Sequence, residues 1–203
     1  MANKKNKVKF NICNVHYAPI TVAEEGTVSF GTPVPMPGAV SISMDPTGEP
    51  ESFYADGIEY YVINNNQGYD GDLELAMIPE SFRTDILKEK QDANKVLVEN
   101  ANSETGSFAL LFEFDGDIRK IRHVLYNCSA SRPTIESKTN EEDKEVQTET
   151  LTIKARPMAD GYVKAKTGDS TTETVYNNWY KSVYLPAAST AEQQSAKSTK
   201  SVS

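Results

Sequence analysis

Proline and glycine recur so densely near the start of this chain that they limit what it can fold into. Residues 26–38 read GTVSFGTPVPMPG and contain six of these helix breakers. Proline lacks a backbone donor and clashes with the preceding helical turn, so this spacing excludes a helix. The residues that follow, VSISM at 40–44, alternate apolar and polar side chains, which is the period of a half-buried strand. The pattern predicts β-structure here.

Strand patterns recur along the rest of the chain as alternating residues or as runs of branched and aromatic residues. The predicted strands cover residues 8–18, 40–44, 58–63, 73–77, 108–114, 121–130 and 147–155. The first strand is expected to lose register near Cys13. Residues 108–114 and 121–130 form the clearest hairpin, with DGDIRK as its turn. Long polar loops are expected at 45–57 and 137–146, the first opening with DPTGEPES.

The phase of the central hairpin predicts which side chains share a face. The outgoing strand places four residues on one side, and they are Phe108, Leu110, Phe112 and Phe114. The returning strand is expected to keep four residues in phase, and they are Val124, Tyr126, Cys128 and Ala130. The whole predicted core consists of Leu75, Phe82, Ile86, Leu110, Phe112, Leu125, Leu151 and Ile153.

One helix is clearly predicted, at residues 79–90 with the sequence PESFRTDILKEK. Proline suits the first helical turn, the early glutamate favours the positive end of the helix dipole, and the lysines lie late. Residues 174–184 fit a helix and a strand equally well. The predicted fold is therefore mainly β, an antiparallel β-sandwich or partly closed barrel with one flanking α-helix.

Charge is unevenly distributed over the 203 residues, whose formal net charge is −8. Lys4, Lys5, Lys7 and Lys9 make a basic start, whereas residues 10–185 carry 15 basic and 28 acidic groups, a net charge of −13. Binding to nucleic acid phosphates needs clustered lysine and arginine, so such a body repels nucleic acid. We expect one domain over residues 1–186, with an N-terminal arm, and a disordered polar tail over residues 187–203.

The two cysteines, Cys13 and Cys128, are too few for a disulfide framework and are expected to be free thiols in a reducing compartment. No apolar signal region follows the basic start, and no stretch is long and apolar enough to span a membrane, so folding in the cytoplasm is expected. A zinc site built from both cysteines with His16 and His123 is disfavoured, because neighbouring strand residues alternate faces.

The other sequence motifs do not indicate a catalytic or binding site. Asp70-Gly71-Asp72 and Asp115-Gly116-Asp117 lack the further ligands of a calcium loop and are interpreted as turns. Nucleophile elbows, phosphate loops and dinucleotide fingerprints are missing from the sequence, and carboxylate pairs such as Glu24-Glu25 indicate solvated charge. The aromatic residues that could stack on bases have no basic surroundings, and they are Tyr60, Tyr61, Tyr176, Trp179, Tyr180 and Tyr184. No catalytic, cofactor or metal site is predicted.

Several blocks of the sequence, taken together, resemble one family. They include NVHYAPIT, GTPVPMPGAVSISMDPTGE, FYADGIEYYV, NNQGYDGDLELAMIPESFRTDIL, FALLFEFDGD, RHVLYNCSASRPTIESKT, QTETLTIKARP and ETVYNNWYKSVY. In this order they are similar to the major tail tube protein of long, non-contractile-tailed bacteriophages, the phi13 type. The resemblance covers about residues 8–186.

The resemblance implies a structural virion protein without catalytic residues. It implies that six copies form a ring, that the sheets line a continuous inner wall, and that stacked rings make the tube through which the genome passes. The implied partners are further copies of the chain, tape measure, tail tip and tail terminator proteins, and passing double-stranded DNA without specific binding. Assembly in the host cytoplasm into a virion tail, with no membrane partner, is expected.

Three expectations follow for the assembled state. Residues 1–18 and 171–186 are expected to be arms that order on assembly. The lumen is expected to be net negative, with Glu74, Glu113 and Glu149 as candidate wall carboxylates on exposed strand faces. The alternatives are a secreted β-rich surface protein, a small β-barrel enzyme and a type VI secretion ring protein, which would share the fold.

Overall fold

The computed structural model describes residues 5–24, 27–139 and 145–187. In this part of the chain strands dominate, as the sequence predicts. The strands are β1 Lys9–Val22, β2 Val28–Phe30, β3 Val34–Pro35, β4 Ala39–Thr47, β5 Glu51–Ala55, β6 Ile58–Ile63, β7 Gly68–Leu75, β8 Lys90–Gln91, β9 Leu97–Val98, β10 Phe108–Gly116, β11 Ile121–Ala130, β12 Glu149–Arg156 and β13 Lys164–Lys166. The helices are α1 Glu80–Asp85 and α2 Glu173–Asn178.

Nine of the strands form one antiparallel sheet in the order β2-β1-β10-β11-β12-β7-β4, with β13 on β11 and β3 on β1. The sheet is open, because β4 and β2 end it on opposite sides. Strands β5 and β6 form a separate hairpin, and β8 and β9 form a small one. The mainly-β antiparallel fold with a flanking helix is confirmed, and a second short helix lies in the region where the sequence left helix and strand open.

The main core lies between one face of the sheet and α1. Phe82 of α1 contacts Tyr17 and Phe108 edge to face, with ring centroids 5.1 and 5.2 Å apart. All eight predicted core residues are buried, and they are Leu75, Phe82, Ile86, Leu110, Phe112, Leu125, Leu151 and Ile153. Burying apolar surface of this kind is the dominant favourable contribution to folding.

A second apolar cluster lies on the opposite face of the sheet, where the segment around α2 packs over β10 and β11. Its buried members are Ala18, Ala109, Leu111, Val124, Tyr126 and Trp179. The Trp179 indole donates a hydrogen bond to the His123 carbonyl at 3.3 Å. The sheet is therefore covered on both faces over β1, β10 and β11.

The predicted phase of the returning strand is wrong at one point. Phe108 pairs with Cys128, but Leu110 pairs with Leu125, so one residue of β10, Ala109, opposes two residues of β11. This bulge moves Val124 and Tyr126 into the second cluster, while Leu125, Cys128 and Ala130 face the main core. A one-residue slip exchanges the two faces of a strand, so a simple alternating pattern in the sequence could not predict this bulge.

Two predicted boundaries also differ from the structure. Helix α1 ends at Asp85 instead of residue 90, because Lys88 has φ +60°, a left-handed conformation that cannot continue a helix. The expected loop at 45–57 is largely strand, since β4 continues to Thr47 and β5 pairs with β6. Asp56 and Gly57, with φ +53° and +75°, form the tight turn of that hairpin.

The two Asp-Gly-Asp segments have different outcomes. Asp115 and Gly116 are the last two residues of β10, and only Asp117 lies in the turn that follows, so the turn prediction is confirmed only in part. Asp70-Gly71-Asp72 lies inside β7 and is not a turn. A Cβ atom on Gly71 would lie 1.9 Å from the Ser43 carbonyl oxygen, so glycine allows the close approach of β4 here.

Strand β1 loses register at the predicted place. Its pairing with β10 shifts between Cys13 and His16, where Asn14 has φ +55°. Tyr17 and Ala18 are fully buried in the sheet, so the boundary of the expected arm at residues 1–18 is wrong: Lys9–Val22 is a strand of the folded domain. Within the 137–146 loop, residues 140–144 lie outside the described residues, as do 188–203 of the expected tail.

Candidate assembly surfaces

Glu113, an expected wall carboxylate, is buried instead, with 3% of its surface exposed. Lys120 Nζ lies 2.9 Å from one carboxylate oxygen, and Arg122 Nε lies 3.1 Å from the other. The Tyr180 hydroxyl also donates to this carboxylate at 3.3 Å. The sequence prediction is wrong because the α2 segment covers the face of β10 on which Glu113 lies.

The same cluster attaches the α2 segment to the sheet. The guanidinium groups of Arg119 and Arg122 lie 3.6 and 3.8 Å from the centroid of the Tyr176 ring. Burial and the Glu113 carboxylate raise the pKa of Tyr180, and hydrogen bonds to Glu113 and Asp115 raise the pKa of Lys120. These contacts hold most of the expected arm at 171–186 against the domain.

Glu149, the second expected wall carboxylate, ties α1 to the sheet. One oxygen lies 2.8 Å from Arg83 of α1, and the other accepts a hydrogen bond from the Ile78 amide at 2.5 Å. Both carboxylate oxygens of Glu149 therefore have partners within the monomer, so this charge is not available to line a wall.

Glu74, the third candidate, lies on an uncovered face of β4, β7 and β12, which we call the polar face. Its three cross-strand rows are Ser41-Glu74-Thr150, Ser43-Asp72-Thr152 and Asp45-Asp70-Lys154. Hydroxyl groups donate to the carboxylates, with Ser41 Oγ 2.8 Å from Glu74 and Thr152 Oγ1 2.8 Å from Asp72. Arg156, at the C-terminal end of β12, forms an ion pair with Asp70. The other face of these three strands covers the main core.

Two carboxylates of the polar face are stabilised in their charged form. Hydrogen bonds from Thr148 and Ser41 lower the pKa of Glu74, and the Arg156 guanidinium lowers the pKa of Asp70. The face carries four carboxylates, those of Asp45 and the three acidic residues of β7, against the two cations of Lys154 and Arg156. It is therefore net acidic, and hydroxyl groups occupy most of its other positions.

The β5–β6 hairpin is the most apolar exposed element. All six residues of β6, IEYYVI, are exposed. The large exposed apolar side chains of the hairpin are Phe53, Tyr54, Ile58, Tyr60, Tyr61, Val62 and Ile63. Single exposed apolar residues are ordinary, but a contiguous apolar patch on both faces of a hairpin marks an interaction site.

The candidate zinc ligands do not converge. Among the described residues, no three His, Cys, Asp or Glu side chains are placed to share a metal ion. His123 stacks on Phe112 at 5.1 Å, and burial lowers its pKa to about 4. Cys128 is buried in the main core, which raises its pKa to about 12, whereas His16 contacts the Asn14 carbonyl. Helices of membrane-spanning length and apolarity do not occur in the described ranges.

Comparison with known families gives a direct match. A model of the family described as phage tail tube protein matches residues 3–192. The chain belongs to the phage tail tube protein family. It is thus a structural protein of a phage tail, and the finer phi13-type assignment stays a prediction. A search of curated proteins gives no match.

Among solved structures, the tail tube protein is similar to the tube-terminating cap of the anti-feeding prophage, determined by cryo-EM. The identity is 10%, the match covers 83% of this chain and 98% of that chain, and the TM-score is 0.41.

Sequence reasoning missed the two surfaces that distinguish this tail tube protein. The polar face was hidden because its central Asp-Gly-Asp segment has the composition of a turn, although the alternation of β12 already indicated one exposed face. Only the β5 half of the hairpin fell inside the expected loop at 45–57, since residues 58–63 are predicted as a strand, and Asp56-Gly57 before this β-branched run is a strong hairpin signal. The turn interpretation of Asp70-Gly71 concealed the first half of β7, and the expected loop concealed β5.

Proposed function

We propose that this chain is the building block of the phage tail tube, in which six copies form a ring and stacked rings enclose the path of the DNA. The β5–β6 hairpin carries the proposal. Four aromatic rings on it are between 57% and 68% exposed, and they belong to Phe53, Tyr54, Tyr60 and Tyr61. At 150–250 Å² per fully buried aromatic side chain, they leave roughly 500 Å² of apolar surface for a neighbouring copy.

The polar face is the part of the molecule best suited to the lumen. A wall that carries carboxylates and hydroxyls does not neutralise phosphates, so duplex DNA slides past without condensing on it. Repulsion reaches about 10 Å from the wall at 0.1 M salt, which keeps the duplex near the axis. Of the three sequence-based wall candidates, we retain Glu74, joined by Asp70 and Asp72.

Tape measure, tail tip and tail terminator proteins are the proposed further partners, and assembly is proposed to occur in the host cytoplasm. Among the residues that the structure describes, β4 pairs only with β7, and its other edge supports contacts between copies, because a free strand edge presents unpaired backbone groups. The proposal involves no catalysis.

Assembly is tested with the full chain. Light scattering over a rising concentration series, followed by negative-stain microscopy, is expected to reveal rings or tubes. The double variant F53S/Y61S removes the paired aromatic residues of the hairpin and should stay monomeric. The matched control is Met77→Ser, which removes an equally exposed apolar side chain elsewhere. A wild-type chain that stays monomeric both alone and with tail-tip complexes would refute the proposed function.

A further inference from the structure

An apolar groove lies where β2 meets the loop after β12. Two adjoining cavities of about 280 and 380 Å³ share Val28, Met158 and Ala159 in their walls. Phe30 and Leu185 line the larger cavity, and Val22 lines the smaller one. Both cavities open to the surface, and among the residues that the structure describes no side chain fills them. We call this the β2 groove.

A buried tyrosine packs behind the groove. The Tyr126 hydroxyl is buried and makes no hydrogen bond within the described ranges. Its ring packs in the same cluster as Phe30 and Met158, two walls of the groove, with its centroid 6.3 Å from that of Phe30. Tyr126 itself lines neither cavity, so the walls that an occupant would contact are mainly apolar.

The hairpin and the groove lie toward opposite edges of the sheet. The β5–β6 hairpin continues from β4, which forms one edge. The groove is lined by Val28 of β2, the strand at the other edge, and by Ser107 before β10. The two features are therefore different surfaces of the molecule.

We propose that the β5–β6 hairpin of one copy inserts into the β2 groove of the next copy, a contact that rests on the proposed assembly into a tube. A head-to-tail contact between two different surfaces propagates, whereas a contact between identical surfaces closes at a dimer. The hairpin supplies apolar rings for the two cavities, whose shared walls are Val28, Met158 and Ala159.

The size of the contact is appropriate for a repeated interface. The roughly 500 Å² on the hairpin is over half of the 800 Å² that each partner contributes to a standard interface. Edge contacts around the hairpin would supply the rest. The hairpin carries Glu51, Asp56 and Glu59, and the groove carries Asp160, so screening by salt should strengthen the contact.

A mixing experiment tests the pairing. F53S/Y61S keeps the groove and loses the hairpin surface, whereas Ala159→Trp fills the groove and keeps the hairpin. Each variant alone should stay monomeric or need at least about a tenfold higher concentration to assemble. Mixed together, they should form a 1:1 complex that does not grow further, because one intact hairpin meets one intact groove. The matched control Ala101→Trp places the same indole on an exposed turn and should assemble like the wild type.

Assembly of Ala159→Trp at the wild-type concentration would overturn the inference, and so would a mixture of the two variants that stays monomeric. A second measurement does not depend on tube growth. In a Cys13→Ser background, Tyr61→Cys in one copy and Ala159→Cys in another should form an intermolecular disulfide on mild oxidation, whereas Met77→Cys paired with Ala159→Cys should not. A wild-type chain that fails to polymerise while this disulfide still forms would refute the tube function and leave the contact standing.

Discussion

The two halves of the sheet are built from similar strands but bury different fractions of their side chains. On β10, the five consecutive residues Phe108–Phe112 are all buried, because α1 covers one face and the α2 segment covers the other. On β12, buried and exposed residues alternate, since the polar face has no cover. We call β1, β10 and β11 the covered half, and β12, β7 and β4 the open half. The covered half stabilises the monomer, whereas the open half leaves a regular charged surface available to the assembly.

The largest expected effect is on the covered half. Phe112→Ala should lower the free energy of unfolding by about 3–5 kcal/mol, because it removes a buried ring and leaves a cavity that the packed sheet cannot fill. Urea denaturation measures the loss. Phe53→Ala, the same change on the exposed hairpin, should stay within about 0.5 kcal/mol and serves as the control. Equal losses for the two variants would contradict the assignment of Phe112 to the packed core and of Phe53 to an exposed surface.

The next effect is a pH dependence between about pH 6.5 and 4 that His123 in the covered half should produce. Burial, together with Lys9, Lys164 and Lys166, lowers the pKa of His123 from 6.5 to about 4. The unfolded chain therefore binds a proton that the folded chain does not, and stability falls as the pH drops from about 6.5 to 4. The loss is at most about 3 kcal/mol, given 1.36 kcal/mol per pKa unit.

Replacing the imidazole checks the origin of this slope. His123→Phe keeps a ring against Phe112 and should flatten the fall in melting temperature between pH 6.5 and 4. His16→Phe, the matched change at the other histidine, should leave the fall in place. A slope that persists in His123→Phe would show that other groups cause it.

A smaller effect compares two glutamates in the two halves. Glu113→Gln removes the charge that Lys120 and Arg122 share and should cost about 2 kcal/mol, since it leaves cations beside a buried neutral amide. Glu74→Gln on the polar face should change the free energy of unfolding by less than about 0.5 kcal/mol, because Glu74 is only half-buried and a glutamine oxygen can still accept the hydrogen bonds of Ser41 and Thr148. Thermal denaturation of both variants at neutral pH measures the difference. If Glu74→Gln lowers the melting temperature as much as Glu113→Gln does, the two glutamates do not differ in their contribution to stability.

The variant with the smallest expected effect on stability should have the clearest effect on DNA binding. The triple variant D70K/D72K/E74K should fold and assemble, with only a modest change in melting temperature. Its tubes should bind short duplex DNA in a manner that weakens steeply with salt, whereas wild-type tubes should not bind it. A triple reversal at Glu104, Glu136 and Asp169, which are exposed and lie outside both the hairpin and the polar face, is the matched control for charge alone. If tubes of the triple variant do not bind duplex DNA, the polar face does not line the lumen.

The sequence by itself determined the fold class, the central hairpin and the core. Local patterns suffice there, because a two-residue alternation places Leu151 and Ile153 on one face, and the spacing of Phe82 and Ile86 fits one face of a helical turn. The resemblance in the ordered sequence blocks also pointed to the family that the comparison then established. These features depend on neighbours along the chain.

The tertiary structure alone decided how the strands meet, and hence the surfaces. The bulge in β11, the burial of Glu113 beneath the α2 segment and the place of Gly71 under β4 depend on residues far apart in sequence. A carboxylate on a strand has the same local pattern whether a distant segment covers it or leaves it exposed. For this reason Glu113 and Glu74 looked alike in the sequence, and only the packing of the α2 segment distinguishes the buried charge from the exposed one.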